Sequence, residues 1–233
     1  MRELIETLAA YPQAVFTEAA PFPHLVLDGL VAAPVVARLH EAVMSWTDWD
    51  ERDDPQEKKR RSRWTSDADI PLAAADAVRA LNSGAMLRAL AQATGVQHLI
   101  ADPYYSGGGF NRIERGGKLD VHIDGNWHDD MQVHRRLNLI LYLNPNWRPE
   151  WGGALGLYDP DGRRPVSIEP RPGRVLVFET NEATPHGHPE PLDCPDDEAR
   201  TSLILYYYTA KPRSAAASPS RSRWSSLGWR EKV

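Results

Sequence analysis

Apolar positions recur three and four residues apart in the first third of the chain, then alternate or cluster in short runs through the rest. Residues 30–46, LVAAPVVARLHEAVMSW, keep helical spacing and predict one helix. Residues 71–95, PLAAADAVRALNSGAMLRALAQATG, are rich in Ala and Leu and predict a second, ended by Gly95. Between them the polar stretch TDWDERDDPQEKKRRSRWTSD has no apolar period, and 47–69 reads as a long loop. Loops of that length are usually functional or disordered. Trp49 and Trp64 give this one something to pack, so a lid over a site is expected.

From residue 96 the pattern changes to short runs punctuated by Gly and Pro. Candidate strands are 97–104, 109–114, KLDVHID, RRLNLILYLN, GALGLYD, RPVSIEP, RVLVFET and TSLILYYYT. Such a series predicts a β-sandwich or jelly-roll barrel, with the preceding helices covering one outer face. The expected fold class is therefore mainly β with flanking α-helices. Three segments follow: helical support and a long loop over 1–95, the barrel over 96–211, and a Ser/Arg/Trp-bearing tail over 212–233. The tail reads as a flexible or wrapping extension. No internal repeat is visible.

Composition narrows the function classes. Hydrophobic residues make up 42% and charged residues 25%, as in an ordinary soluble globular protein. A net charge of −5 argues against a general nucleic-acid surface. The basic run EKKRRSR at 57–63 then reads as a solvated loop. Cys194 is the single cysteine, so no intramolecular disulfide forms, and a reducing compartment fits. Its setting, PLDCPDDE, offers nothing to activate a thiol. The N-terminus carries acids and no long apolar run, unlike a signal peptide. No apolar run approaches the roughly 18 residues of a membrane span. The expectation is a soluble cytoplasmic protein, monomer or homodimer, with neither nucleic acid nor membrane as partner.

Chemistry concentrates in VHIDGNWHDD, residues 121–130. His122 and Asp124 sit two apart in a strand pattern, so both side chains face one side of the sheet. Taken alone they could be a buried hydrogen-bonded pair. A third ligand is available downstream in ATPHGHP, where His186 directly follows an apolar strand and His188 lies two further on. Two histidines and a carboxylate make the facial triad of non-haem Fe(II), which leaves positions open for co-substrate and oxygen. Arg200 then begins RTSLILYYYT, and a guanidinium there can grip a carboxylate bidentately. Tyr142 in LNLILYLN could add a phenol hydrogen bond to the same carboxylate. Asn138, two pairs of positions earlier on the same strand face, could line the same pocket.

HxD, a distant His and an Arg on the next strand resemble the 2-oxoglutarate- and Fe(II)-dependent dioxygenase superfamily, in its prolyl-hydroxylase-like branch. GGKLDVHIDGNWH, RRLNLILYLNPNW, WGGALGLYD, RPGRVLVFETNEATPHGHP and RTSLILYYYT follow that family's order across roughly residues 100–210. The resemblance implies a double-stranded β-helix, with His122, Asp124 and His186 as catalytic and metal-binding residues. The ligand precedes the glycine in the family pattern, which selects His186 over His188. Arg200, assisted by Tyr142, would hold the distal carboxylate of 2-oxoglutarate. The implied cofactors are Fe(II), 2-oxoglutarate and O2, with ascorbate as a supporting reductant. The implied reaction hydroxylates an unactivated C–H of an amino-acid-like group, in a peptide, a protein or a free small molecule, and yields succinate and CO2. Asp124 disfavours halogenation, since halogenases of this kind lack the carboxylate.

Several residues have blander readings. His128 could join a local zinc site, but an HExxH helix is absent and Arg200 would lose its role. His128 and His134 are expected near the entrance, and Asp129 and Asp130 in solvent. Either Arg135 or Arg136 should face inward. YYSGGGFNRIERGG lacks the phosphate-loop spacing and reads as a turn, with Asn111 and Arg112 as candidate substrate contacts. Two other functions stay open: a non-catalytic 2-oxoglutarate or metal sensor on the same barrel, and a cupin-like metal protein.

Overall fold

The structure, a computed structural model, describes residues 1–161, 163, 165–214 and 218–232. Arg164 of the RPVSIEP candidate, and residues 215–217 and 233 of the tail, lie outside the described residues. Among the described residues there are five α-helices: α1 (Arg2–Ala9), α2 (Gln13–Thr17), α3 (Ala33–Ser45), α4 (Leu72–Leu81) and α5 (Gly84–Thr94). The strands are β1 (His24–Leu27), β2 (Trp49–Asp53), β3 (Glu57–Ser62), β4 (Ile100–Ala101), β5 (Gly109–Ile113), β6 (Lys118–Ile123) and β7 (Trp127–His128). They continue as β8 (Val133–Tyr142), β9 (Leu155–Leu157), β10 (Val166–Ile168), β11 (Val175–Glu179), β12 (His186–His188), β13 (Arg200–Thr209) and β14 (Arg223–Trp224).

The strands form a curled antiparallel sheet in the order β1-β11-β8-β13-β5-β3-β6-β12-β9-β10. The protein is mainly β with flanking helices, and it shares the jelly-roll architecture. Alternation explains how one sheet serves two cores. On β8, Leu137, Leu139 and Leu141 face the helices and join Val175, Val177, Leu203 and Leu205 in the larger core. The alternate residues Ile140 and Tyr142 turn into the barrel with Leu176 and Phe178. Arg200 shares its parity with Ile204 on β13, so the same period aims it inward. Among the described residues, no helix is long and apolar enough to cross a membrane.

Three segment readings need correction. The helix expected over 71–95 is two, because the Ser83 hydroxyl accepts from Met86 N–H and starts α5 afresh. Gly95, at φ +77°, ends α5 as predicted. The loop expected over 47–69 contains the β2–β3 hairpin. Its turn is held by Asp54, whose carboxylate accepts from the Gln56 and Glu57 amides. Opposite charges replace apolar alternation across it: Glu51 opposes Arg60 at 3.1 Å and Asp50 meets Arg61 at 2.7 Å. The strand expected over 97–104 shrinks to Ile100–Ala101, since Asp102 folds the next residues into a turn by accepting from Tyr104 and Ser106 amides. The tail is ordered where described: β14 pairs with β6, setting Trp224 opposite His122.

Candidate active site

A cavity of about 280 Å³ opens inside the barrel. β6, β12 and β13 deliver its reactive side chains. His186 on β12 is the register partner of His122 on β6, so the two imidazoles meet across adjacent strands with ring centres 4.4 Å apart. Asp124 follows β6, its carboxylate 3.5 Å from His122 Nε2 and 3.6 Å from His186 Nε2. The three buried residues present one ligand atom each, all within 4.8 Å of one another.

Whether a metal fits here is decided by what each donor's other atoms do. His122 Nδ1 donates to Asp120 carbonyl at 3.0 Å and His186 Nδ1 donates to Thr184 carbonyl at 3.0 Å. Both backbone contacts fix the tautomer that turns an unprotonated Nε2 inward. Burial and the neighbouring His122 push the His186 imidazole down to about 4, which keeps it neutral and able to ligate. Burial pushes the Asp124 carboxyl up, but the charge of Arg135, 3.6 Å away, helps to hold it well below its ordinary value. Two neutral imidazoles and one carboxylate suit a divalent first-row metal, Fe(II) included.

Asn138, expected to line the co-substrate pocket, does reach the cavity but commits its amide to Asp124. Its Nδ2 donates to Asp124 Oδ2 at 2.6 Å, and its carbonyl accepts from Thr180 Oγ1 at 3.0 Å. Arg200 lies at the other end, 4% exposed. Its Nε donates to the Gly153 carbonyl at 2.7 Å and its Nη2 lies 3.5 Å from Tyr142 Oη. Gly153 has φ +74°, and a Cβ there would come within 3.0 Å of Arg200 Cδ, so glycine is required. Among the described residues no carboxylate pairs with Arg200. A buried, unpaired guanidinium is an anion site.

His128, expected at the entrance, is instead buried in a structural turn. Its Nε2 lies 3.2 Å from Asp102 Oδ1, and its Nδ1 accepts from Met131 N–H. Asp129 and Asp130 are exposed as expected. Asn111 lines the cavity, whereas Arg112 turns away to Met44 carbonyl and Glu114. His188 also lines the cavity, and both of its ring nitrogens lack a hydrogen-bond partner.

Arg135 is the inward member of its pair, because β8 slips against β13 between Tyr207 and Tyr208. Leu137 opposes Tyr207 and Arg135 opposes Tyr208, leaving Arg136 as the extra residue of a bulge. Two contributions escape the sequence reading. Lys59 and Arg61 of the hairpin reach the cavity, contrary to a solvated 57–63 loop. Their spacing of two was the available signal. From the tail, Trp224 stacks on His122 with ring centres 4.7 Å apart at 23°.

Residues 108–208 match the family described as the 2OG-Fe(II) oxygenase superfamily. The chain is 34% identical over 86 residues to the mouse (Mus musculus) prolyl 3-hydroxylase OGFOD1. That alignment covers 35% of this chain, which spans only 15% of the length of that curated relative. A Pseudomonas putida prolyl-4-hydroxylase structure is similar with a TM-score of 0.63 at 20% identity, covering 88% of this chain and 100% of that one. A Trichoplax adhaerens prolyl hydroxylase, solved with a hypoxia inducible factor oxygen degradation domain peptide fragment, gives 0.63 at 17% identity. It covers 92% of this chain and 93% of that one. The stretch that matches the 2OG-Fe(II) oxygenase superfamily, residues 108–208, holds His122, Asp124, His186 and Arg200.

Proposed function

We propose that the protein is a 2-oxoglutarate- and Fe(II)-dependent dioxygenase that hydroxylates an unactivated C–H of an amino-acid-like substrate. The observation that carries this reading is the pairing of two sites in one cavity: three inward ligand atoms within 4.8 Å of one another and an unpaired buried guanidinium. A metal-binding barrel without 2-oxoglutarate has no use for Arg200.

In this reading His122, Asp124 and His186 would hold the iron, and Arg200, with Tyr142 beside it, would hold the distal carboxylate of 2-oxoglutarate. Bound iron supplies the oxygen chemistry, which converts 2-oxoglutarate to succinate and CO2 and oxidises the substrate. The chain's own residues supply position and exclusion of water. Asn138 fixes the Asp124 carboxylate, and Ile140, Leu155, Phe178 and Ile204 give the cavity an apolar wall. The structural neighbour solved with a peptide fragment supports a peptide substrate, and the single Cys194 supports a cytoplasmic location.

The test is succinate release from 2-oxoglutarate by the Fe(II)-loaded protein under O2. His122→Ala is expected to abolish it, and Arg200→Gln to abolish 2-oxoglutarate binding, followed by the charge-transfer absorption of the anaerobic complex. Binding of 2-oxoglutarate without any succinate, across candidate substrates, would instead favour a sensor on the same barrel.

A further inference from the structure

The cavity holds more positive charge than an iron ligand set and one dicarboxylate use. Lys59, Arg61, Arg135 and Arg200 all line it, against the carboxylates of Glu57 and Asp124. Lys59 is neutralised by Glu57 at 2.8 Å, and Arg200 serves the closed end. Arg135 remains, joined by Arg61, which is paired with Asp50 but, like Arg135, keeps an Nε with no hydrogen-bond partner among the described residues, and both flank Tyr206. The Arg135 guanidinium lies 3.9 Å over the centre of that ring. Arg61 Nη1 lies beside Gly107, whose carbonyl accepts the Tyr206 hydroxyl at 3.2 Å. Arg61 spends Nη2 on Asp50 at 2.7 Å. The nearest carboxylate to Arg135 is Asp124 at 3.6 Å, which the metal would claim.

Arg135 also lines a second, outer groove of about 550 Å³, between Gly125 and Trp127 on one side and Ser220 and Ser222 of the tail on the other. It therefore borders both groove and cavity, as does Ser222. Two planar guanidinium groups beside one aromatic ring suit a planar acceptor with two oxygens.

Resting on the oxygenase reading, we propose that the substrate itself bears a carboxylate, held by Arg135 and Arg61 beside Tyr206, so that its C–H to be oxidised faces the iron. This assigns the cavity two anion sites: Arg200 for 2-oxoglutarate and the Arg135–Arg61 pair for substrate.

The experiment is isothermal titration of N-acetyl-L-proline and N-acetyl-L-leucine, each beside its primary amide, into the full chain loaded with Mn(II) and 2-oxoglutarate. At least one acid is expected to saturate a single site and to bind about 10-fold or more tightly than its amide, the scale of a charge-assisted hydrogen bond. Arg135→Gln and Arg61→Gln should each weaken the acid about 10-fold while leaving the amide unchanged, and Arg135→Lys should recover only part, lacking the fork. Loading with 2-oxoglutarate, carried by Arg200, reports on folding in every variant. Acids that bind no better than their amides, no binding by either acid, or variants that bind the acid like wild type overturn the proposal. Wild-type protein that takes up Mn(II) but no 2-oxoglutarate overturns the oxygenase reading itself, which separates the two failures.

Discussion

At the scale of single residues, the site depends on groups that touch no ligand. Asn138 is the clearest, since its 2.6 Å hydrogen bond fixes the oxygen of Asp124 that faces both His186 and Arg135. Partners of this kind typically cost 10- to 100-fold in metal affinity when removed. Asn138→Ala is therefore expected to weaken Mn(II) binding by about that factor, with the fold intact by circular dichroism. Unchanged affinity would remove Asn138 from this role. The spacing of two put His122 and Asp124 on one face, and the structure gathers them with His186, whose choice over His188 rested on the family pattern and not on alternation. Arg135 was not assignable, because a one-residue bulge reverses the parity on which such a choice rests.

At the scale of elements, the hairpin and the tail act together. Lys232 Nζ bridges Asp54 and Glu57 at 2.9 Å each, tying the chain's end to β3. Glu57 is half-buried, which pushes its carboxyl up, yet Lys59 and Lys232 hold it at about 2. A carboxyl depressed in the folded state stabilises above its ordinary value near 4.5 and loses that contribution as pH falls toward 2. Glu57→Gln should thus cost roughly 2–3 kcal/mol at neutral pH, and its deficit against wild type should narrow between pH 5 and 3. Denaturant unfolding across that range checks it, and a deficit independent of pH would contradict it. This hairpin was illegible because its strands pair by charge, so the apolar period that marks a strand never appears. The tail's role was illegible for another reason: Trp224 finds His122 across about a hundred residues, with only an isolated aromatic in a polar stretch to announce it.

At the scale of the whole molecule, chemistry and stability sit on opposite faces of the same strands. Leu139 faces the helices and is fully buried, while its neighbours Asn138 and Ile140 face the cavity. Leu139→Ala should lower unfolding free energy by about 2–5 kcal/mol. Near room temperature, 2-oxoglutarate affinity should hold, and a comparable loss of affinity would show the two faces are coupled. The long pairings of the sheet also govern the order in which the protein comes into being. β1 is hydrogen bonded to β11, and β13 lies between β5 and β8, so strands far apart in the chain must find one another. A topology dominated by distant contacts folds slowly, on the order of milliseconds to seconds. β6 is made before its partner β12 and the Arg200 strand. A nascent chain therefore carries His122 and Asp124 before their partner exists, and the candidate metal site can close only once β12 has been made.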